Sequence, residues 1–502
     1  MNGEVLLLGG AYALIALYSL ALLLLLIYSI TQGILAWNYY QSKKNPQADT
    51  KWDFEKKDPF PSVTIQLPVF NEIYVMERLL GAITALTYPR EQLEIQVLDD
   101  STDESVALTA ALVAKYQRAG FAIHHIRRAN RNGFKAGALK AGLAAAKGEF
   151  IAIFDADFLP KEDWLLQILP YFKDRHIGVV QARWGHLNKE YSLLTKMQAF
   201  ALDAHFTLEQ AGRNSRGHFI NFNGTAGIWR KSCIEDAGNW QGDTLTEDMD
   251  LSFRAQLNNW KFKFVEAVET PAELPVSMSA IRTQQFRWNK GGAENFQKMI
   301  RKVWRNPQLS WSTKYHATIH LLSSSMFLGV LTVAILSVPM LYIKAQWNHL
   351  AWYFNLTSLF VISTLFFFIG YWQMYQERYG QGWGAFVNYM RRFVTFYVIA
   401  MGLSAHNSLA ILEGHFGKKS AFVRTPKFNV IDSNDRWHNN KYLPNTVSIN
   451  VLWESLLALY FLFGIYSAFT VGKQCDWGLL PFHCMLFVGF SFIVVQSFRG
   501  RN

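Results

Sequence analysis

Apolar and polar positions along this chain follow two regimes. No charge falls between residues 5 and 42, and Lys43-Lys44 then closes the stretch. Later apolar runs of similar character cover residues 315–343, 350–376, 447–471 and 477–498. Each is long enough to cross a hydrocarbon layer of about 30 Å as a helix. The first run is too long for a signal-peptide core and lacks a basic start, so it reads as a retained transmembrane helix. Residues 383–416 differ, because Arg391, Arg392, His406, Asn407 and Glu413 interrupt their apolar patches. If that segment crossed, the basic residues 418–427 and 499–501 would lie opposite Lys43-Lys44. If it lies in the interface, all three basic groups share one face. The positive-inside rule therefore selects five spans, with the N-terminus outside and the C-terminus inside.

Residues 46–312 follow the other regime, short strand-like runs alternating with helical ones, which predicts a mostly parallel sheet. Strands are expected at residues 63–68, 94–98, 121–127 and 150–154. Several end in carboxylates or polar turns, and a parallel sheet would bring those ends to one edge, where ligands of open α/β sheets bind. The expected fold class is thus α/β, a soluble domain inserted between transmembrane helices. The expected organisation is residues 1–45, 46–312, 313–376, 377–446 and 447–502: a helix, the α/β domain, two spans, an interfacial helix with a loop, and two spans.

Composition changes this picture little. The 502 residues are 50% hydrophobic and 15% aromatic, with a formal net charge of +11. In a membrane protein that excess of cations suits the cytoplasmic face and anionic lipid. No nucleic-acid-binding module is visible. Cys233, Cys475 and Cys484 lack metal-ligand spacing.

The chemistry sits at the strand ends. Asp155 and Asp157, two residues apart after the apolar run 150–154, could share Mg²⁺ or Mn²⁺ and through it a diphosphate. The alternative is a strand-end turn. Asp100 is placed to accept hydrogen bonds from a base or ribose, or else to cap a helix. Lys135, beside glycines at a helix start, suits a phosphate or a solvated helix face. Asn223-Gly224 lies in a small polar loop where a sugar could rest, or forms an ordinary turn. Thr246-Glu247-Asp248 offers acids at a helix start and also fits a capping box. Arg287 suits a diphosphate and Trp288 a sugar face, unless they belong to an amphipathic helix at the bilayer surface.

Together these residues resemble the membrane-embedded family 2 glycosyltransferases, the inverting group that contains cellulose, hyaluronan, chitin and mannan synthases. The resemblance rests on Asp99-Asp100-Ser101, Asp155-x-Asp157, Thr246-Glu247-Asp248 and Gln284-x-x-Arg287-Trp288, in that order between apolar spans. It is strongest to the plant cellulose-synthase-like subfamilies that make β-1,4-mannan and the glucan backbone of xyloglucan. Residues 96–103, 130–139, 180–184 and 222–230 carry that likeness. So do His205-Phe206, Glu209-Gln210 and residues 247–251. Residues 202–206 and 293–299 lean toward the mannan branch. The segment 422–427 resembles the cellulose-synthase gating loop through Phe422, Thr425 and Lys427, with Arg424 at a position where that loop has valine.

The resemblance implies a cytoplasmic domain of the GT-A type and a multi-pass protein of the plasma, inner or Golgi membrane. It implies transfer of a hexose from GDP-mannose or UDP-glucose to a growing β-1,4-linked mannan, glucomannan or glucan, which then passes through the membrane. Asp99, Asp100, Lys135, Asp155, Gln284 and Arg287 would bind the nucleotide sugar, and Asp155 and Asp157 the metal. Asp248 would act as base, aided by Glu247, while Trp288, Asn223 and Gly224 would face the acceptor. The partners expected are therefore a nucleotide-sugar donor, a polysaccharide acceptor and membrane lipid. One alternative within the enzyme class is a non-processive lipid glycosyltransferase resembling ceramide glucosyltransferases. A transporter or inactive scaffold would not need all these carboxylates, and a two-carboxylate hydrolase would need neither Asp155-x-Asp157 nor Gln284-x-x-Arg287-Trp288.

Overall fold

The computed structural model describes residues 2–46, 49–54, 58–432, 435–437, 440–443, 448–472 and 476–499, without the side chains of residues 2–5. Cys475, residue 447 of the fourth expected span, and Arg501 of the basic C-terminus lie outside the described residues.

Among the described residues one seven-stranded sheet forms, in the order β3-β2-β1-β4-β6-β5-β7. Its strands are β1 (Val63–Val69), β2 (Leu93–Asp99), β3 (Ile123–Arg127), β4 (Phe150–Ile153), β5 (Ile177–His186), β6 (Gly227–Arg230) and β7 (Lys261–Ala272). β1 pairs in parallel with β2 and β4, and β2 with β3. β6 runs antiparallel to both β4 and β5, and β7 is parallel to β5. The parallel strands therefore all end on one edge, as the alternating pattern predicts. Because β6 is reversed, the loop entering it, residues 221–226, arrives at that same edge.

Alternation along β1 shows how the sheet is packed. Val63, Ile65 and Leu67 enter one apolar cluster with Leu79, Val97 and Trp164. On the other face Thr64 donates to Glu94 at 2.6 Å and Gln66 to Gln96 at 3.0 Å, so these buried polar groups pair across the strands. A second cluster on that side contains Leu139, Ile151, Ile153, Trp229 and Leu251. The sheet is thus covered on both faces, and its C-terminal edge stays open for chemistry.

Among the described residues, five helices are long and apolar enough to cross a membrane: Leu6–Lys44, Met326–Gln346, Asn348–Tyr379, Asn450–Thr470 and Leu480–Arg499. They overlap the five expected runs. The second, however, begins at Met326 and not near residue 315, because residues 311–322 form a separate helix, Trp311–Leu322, packed against Met278–Arg305. The bent pair Trp383–Gly402 and Ser404–His415, turned by 51°, would make a sixth if it were one span. Trp383–Gly402 packs on Leu480–Arg499 where Gly402 and Gly489 meet, and a methyl on either would overlap the other's helix backbone. The same helix touches the α/β domain through Arg392 with Glu190 and Phe396 with Phe200.

Contacts fix which helix ends lie beside the domain. Lys43 reaches Glu266 at 2.9 Å, and Tyr39 donates to Glu377 at 2.8 Å. Arg282 bonds Ser497 near the last helix end. At the opposite ends Lys344 pairs with Asp476 at 2.7 Å. Glu454, the clearest charge within an apolar run, is gripped at both oxygens by Arg282 at 2.8 and 2.5 Å. That buried pair ties the helix Met278–Arg305 to Asn450–Thr470, and loss of either member would strand a charge at a cost of about 3–5 kcal/mol.

Candidate functional site

The open sheet edge forms one continuous cleft in three compartments. The first, ≈ 110 Å³, lies over β1 and β2 and includes Phe70, Asp100, Arg131 and Phe422. The second, also ≈ 110 Å³, shares Lys135, Asp155, Asp157, Arg287, Phe422 and Lys427 with it and adds Gly224, Glu247 and Asp248. The third, ≈ 410 Å³, shares Asn223, Asp248, Gln284 and Trp288 with the second and runs among the apolar helices past Met197, Phe327 and Leu403.

Asp100 directly follows β2 and faces the first compartment, where the Arg128 guanidinium holds both its oxygens. Asp99 stands behind it instead of lining the cleft. Its carboxylate accepts from the Ser101 amide at 2.8 Å and pairs with His125 at 2.8 Å. Burial raises its pKa, but those hydrogen bonds outweigh burial and hold it below the usual carboxylate value. The physical reason is register: Asp99 is still paired within the sheet, to Arg127 of β3, and strand alternation turns it away from its neighbour.

Asp155 and Asp157 follow β4. Lys135 donates to Asp155 at 2.5 Å and to the Gly224 carbonyl at 3.0 Å. Lys427 donates to Asp157 at 2.7 Å. Burial lowers both ammonium pKa values, but Asp155 and Asp157 raise them, and the net direction is up. The second oxygen of Asp157 is buried without a hydrogen-bond partner. Among the described residues no group of three His, Cys, Asp or Glu side chains could hold a metal. Two carboxylates that already attract cations, one with an unpaired buried oxygen, nevertheless fit a divalent ion, which would take its remaining ligands from outside the protein.

Glu247 and Asp248 open the helix Glu247–Leu257. The capping alternative is not realised, since Thr246 makes no side-chain cap; its hydroxyl accepts from Asn295 at 2.9 Å. Both acids stay free to face the cleft. Enclosure by protein, then the charge of Glu247, pushes the Asp248 carboxyl up to about 7. Glu247 is raised as well, chiefly by burial, against the pull of Lys135. Gly224 has φ +80°, and a Cβ there would lie 3.0 Å from Asp248 Oδ2 and 3.5 Å from Lys135 Nζ. Glycine at this point lets the loop backbone approach both groups without strain.

The helix Met278–Arg305 supplies Gln284, Arg287 and Trp288. Gln284 and Trp288 line the junction of the second and third compartments, and the Trp288 ring lies 6.5 Å from that of Trp184. Arg287 donates to Thr425 at 3.0 Å and sits over the Phe422 ring, which stacks on Phe134. Phe422, Thr425 and Lys427 all reach the cleft in this way.

Sequence reasoning missed several participants. Arg424 pairs with Glu72 at 3.1 Å, and burial pushes the Glu72 carboxyl up to about 8. Glu273 accepts from the Phe428 and Asn429 amides and so pins the loop segment after Lys427. The rule of carboxylates at strand ends, applied to β7, would have found Glu273. Arg128 and Arg131 lie in the basic loop after β3, and nothing in the spacing indicated their partners.

Residues 61–291 match the family described as "Glycosyltransferase like family 2". The chain is 42% identical over 262 residues to glucomannan 4-beta-mannosyltransferase 1 of Oryza sativa subsp. japonica, covering 51% of this chain and 50% of that protein. It is 38% identical over 314 residues to the probable glucomannan 4-beta-mannosyltransferase 10 of Arabidopsis thaliana, covering 60% and 57%. The chain thus spans about half the length of the curated relatives it matches. Among solved structures it resembles the mannosyltransferase PcManGT from Pyrobaculum calidifontis in complex with GDP-Man and Mn²⁺. The TM-score is 0.52 and the identity 17%, over 79% of this chain and all of that one. At that identity the likeness is one of fold, and the domain's fold is GT-A-like.

Proposed function

We propose, from the premise that residues 61–291 are a family 2 glycosyltransferase domain, that this chain extends a β-1,4-linked mannan-type polysaccharide from a nucleotide sugar. One observation carries the reading: a single cleft joins a charged compartment around Asp155 and Asp157 to a large apolar cavity, with Asp248 and Trp288 at the junction. A highly charged donor and a neutral, aromatic-stacking acceptor are the ligands those two environments suit. Mannose is favoured as the sugar, because the curated relatives near 40% identity are named as mannosyltransferases.

In this reading Asp100 and the Arg131–Phe70 stack hold the nucleoside, with Asp99 bracing the strand end behind them. Asp155 and Asp157 hold a divalent cation, Mg²⁺ or Mn²⁺, which when bound supplies Lewis-acid charge against the diphosphate. Lys135 and Arg287 offset the charge that develops on the leaving nucleoside diphosphate, and Gln284 orients the donor sugar. Asp248 takes the proton of the acceptor hydroxyl as its oxygen attacks the anomeric carbon. The bond to the diphosphate oxygen breaks on the opposite side, so the centre inverts to a β-linkage. Trp288 stacks on the terminal acceptor sugar, and Asn223-Gly224 forms the wall beside it. Phe422, Thr425 and Lys427 act as a strap over the donor, Lys427 exchanging Asp157 for phosphate oxygens. The helix ends beside the domain carry Lys43, Lys44 and Arg499, and by the positive-inside rule that basic cluster supports a cytoplasmic domain.

The test is nucleoside diphosphate release by purified protein with GDP-mannose and UDP-glucose in parallel, with Mg²⁺ or Mn²⁺. The product should be long and degraded by a β-1,4-mannanase. A short glycolipid with no polymer would overturn the reading.

A further inference from the structure

One wall of the large cavity is built by a six-residue π-helical turn, His205–Gln210, inside an otherwise α-helical run. Such turns cost regular hydrogen bonding and often sit at functional sites. This turn brings His205 and Glu209 to the cavity wall beside Asn223 and Asp248. Neither His205 nor Glu209 has a task in the mechanism above.

The hydrogen bonds form a directed chain. Gln210 Nε2 donates to the Asn221 carbonyl at 2.8 Å and to Asn223 Oδ1 at 2.6 Å. The Asn223 amide is thereby fixed with its oxygen toward Gln210, so its nitrogen faces His205 Nε2 at 3.3 Å. An amide nitrogen can only donate, so Nε2 accepts and the proton of the imidazole sits on Nδ1. That Nδ1 lies 3.0 Å from Glu209 Oε2, which accepts it. Glu209 is held ionised at about 2: burial raises its pKa, but the His205 hydrogen bond and the Arg213 charge more than offset it. Both ring nitrogens of His205 are then engaged, which leaves it no lone pair for acid–base work. The Asn223 amide keeps one N–H and one lone pair uncommitted, and Asn223 lines the cavity together with Asp248.

We propose that Glu209 and His205 are positioning residues that lock the Asn223 side chain, through a fixed imidazole tautomer, so that Asn223 hydrogen-bonds a hydroxyl of the acceptor sugar. The proposal rests on the glycosyltransferase reading and adds a residue-level rule for acceptor engagement. It separates two consequences of donor binding: hydrolysis, which needs no Asn223, and transfer, which does.

The experiment compares wild type, H205F, H205Q, N223A and H205F/N223A in detergent. It measures nucleoside diphosphate release and the share of donor sugar recovered in polymer. Phe keeps the ring that packs on Phe206 and removes both hydrogen bonds. Gln can still accept from Asn223 and donate to Glu209. H205F and N223A should each reduce the polymer share about tenfold, the worth of one oriented hydrogen bond. Donor KM should stay within about twofold, H205Q should recover most of the loss, and the double variant should be no worse than N223A alone. Multiplying losses in the double variant, H205Q as impaired as H205F, or a donor KM rising in step would overturn the proposal. If H205F does not fold, H205A takes its place in the same cycle. Failure of the underlying reading is distinguishable, because wild type itself would then release no nucleoside diphosphate.

Discussion

The two ends of the cleft recognise by different physics. Around the proposed donor site four carboxylates pair with four cations: Asp155 with Lys135, Asp157 with Lys427, Glu72 with Arg424, Asp100 with Arg128. Around the proposed acceptor the cavity has nearly four times the volume of either donor compartment and a mainly apolar lining, with one polar wall formed by His205, Glu209, Asn221 and Asn223. A site made of paired charges is specific and sensitive to the removal of any one member, since the partner is left uncompensated. A site made of rings and methyls tolerates sliding and substitution, because stacking has no fixed register. Processive extension needs both, a donor held rigidly for each cycle and a product free to move one sugar along. Asp248 and Gly224 stand at the boundary.

Substitutions should break this contrast in graded steps. The largest effect belongs to the boundary. D248N should lower turnover by about 10²–10⁴-fold, the usual worth of a general base, while nucleotide affinity by calorimetry stays within about twofold. Next comes the charged end: D157N should weaken Mn²⁺ binding, followed by electron paramagnetic resonance, by about 10–100-fold and lower activity with it. Retained cation affinity in D157N would remove that residue from the metal site. At the apolar end W288A should cost only about two- to tenfold in turnover, shorten the polymer, and leave donor KM nearly unchanged. A W288A effect confined to donor KM would place the ring on the wrong side of the boundary.

The smallest expected effect is a shift in pH dependence. In the proposed mechanism Asp248 acts as its carboxylate, so log kcat/KM should fall with unit slope as pH drops below about 7. The Glu247 charge contributes to that raised value, and its removal in E247Q should move the acid limb to lower pH. A limb that stays in place, or moves upward, would show that Glu247 does not act on Asp248 electrostatically.

Much of the frame was readable from the chain because it depends on periodicity and strand-end chemistry. The five apolar runs, the parallel strands with their shared edge, and the Asp155/Asp157, Glu247/Asp248 and Gln284/Arg287/Trp288 groups fall where alternation and spacing put them. Asp99 and Asp100 are adjacent in sequence but opposite in direction, and only the pairing of Asp99 with Arg127 across β2 and β3 shows which one meets the cleft. His205 and Glu209 were visible as a sequence likeness without a role. The chain from Glu209 through His205 to Asn223 depends on a π-helical turn and on the reversal of β6, and neither leaves a signal in hydrophobic patterning. The pairing of Arg424 with Glu72 spans most of the chain and is set by where the segment 422–427 docks.

The most direct test of the central claim is polymer synthesis from GDP-mannose by wild type and D248N in one detergent preparation, with nucleotide binding measured on both. The account predicts mannanase-sensitive polymer and matching GDP release from wild type, and nearly none from D248N despite unchanged nucleotide binding. Polymer from D248N at close to the wild-type rate would contradict it.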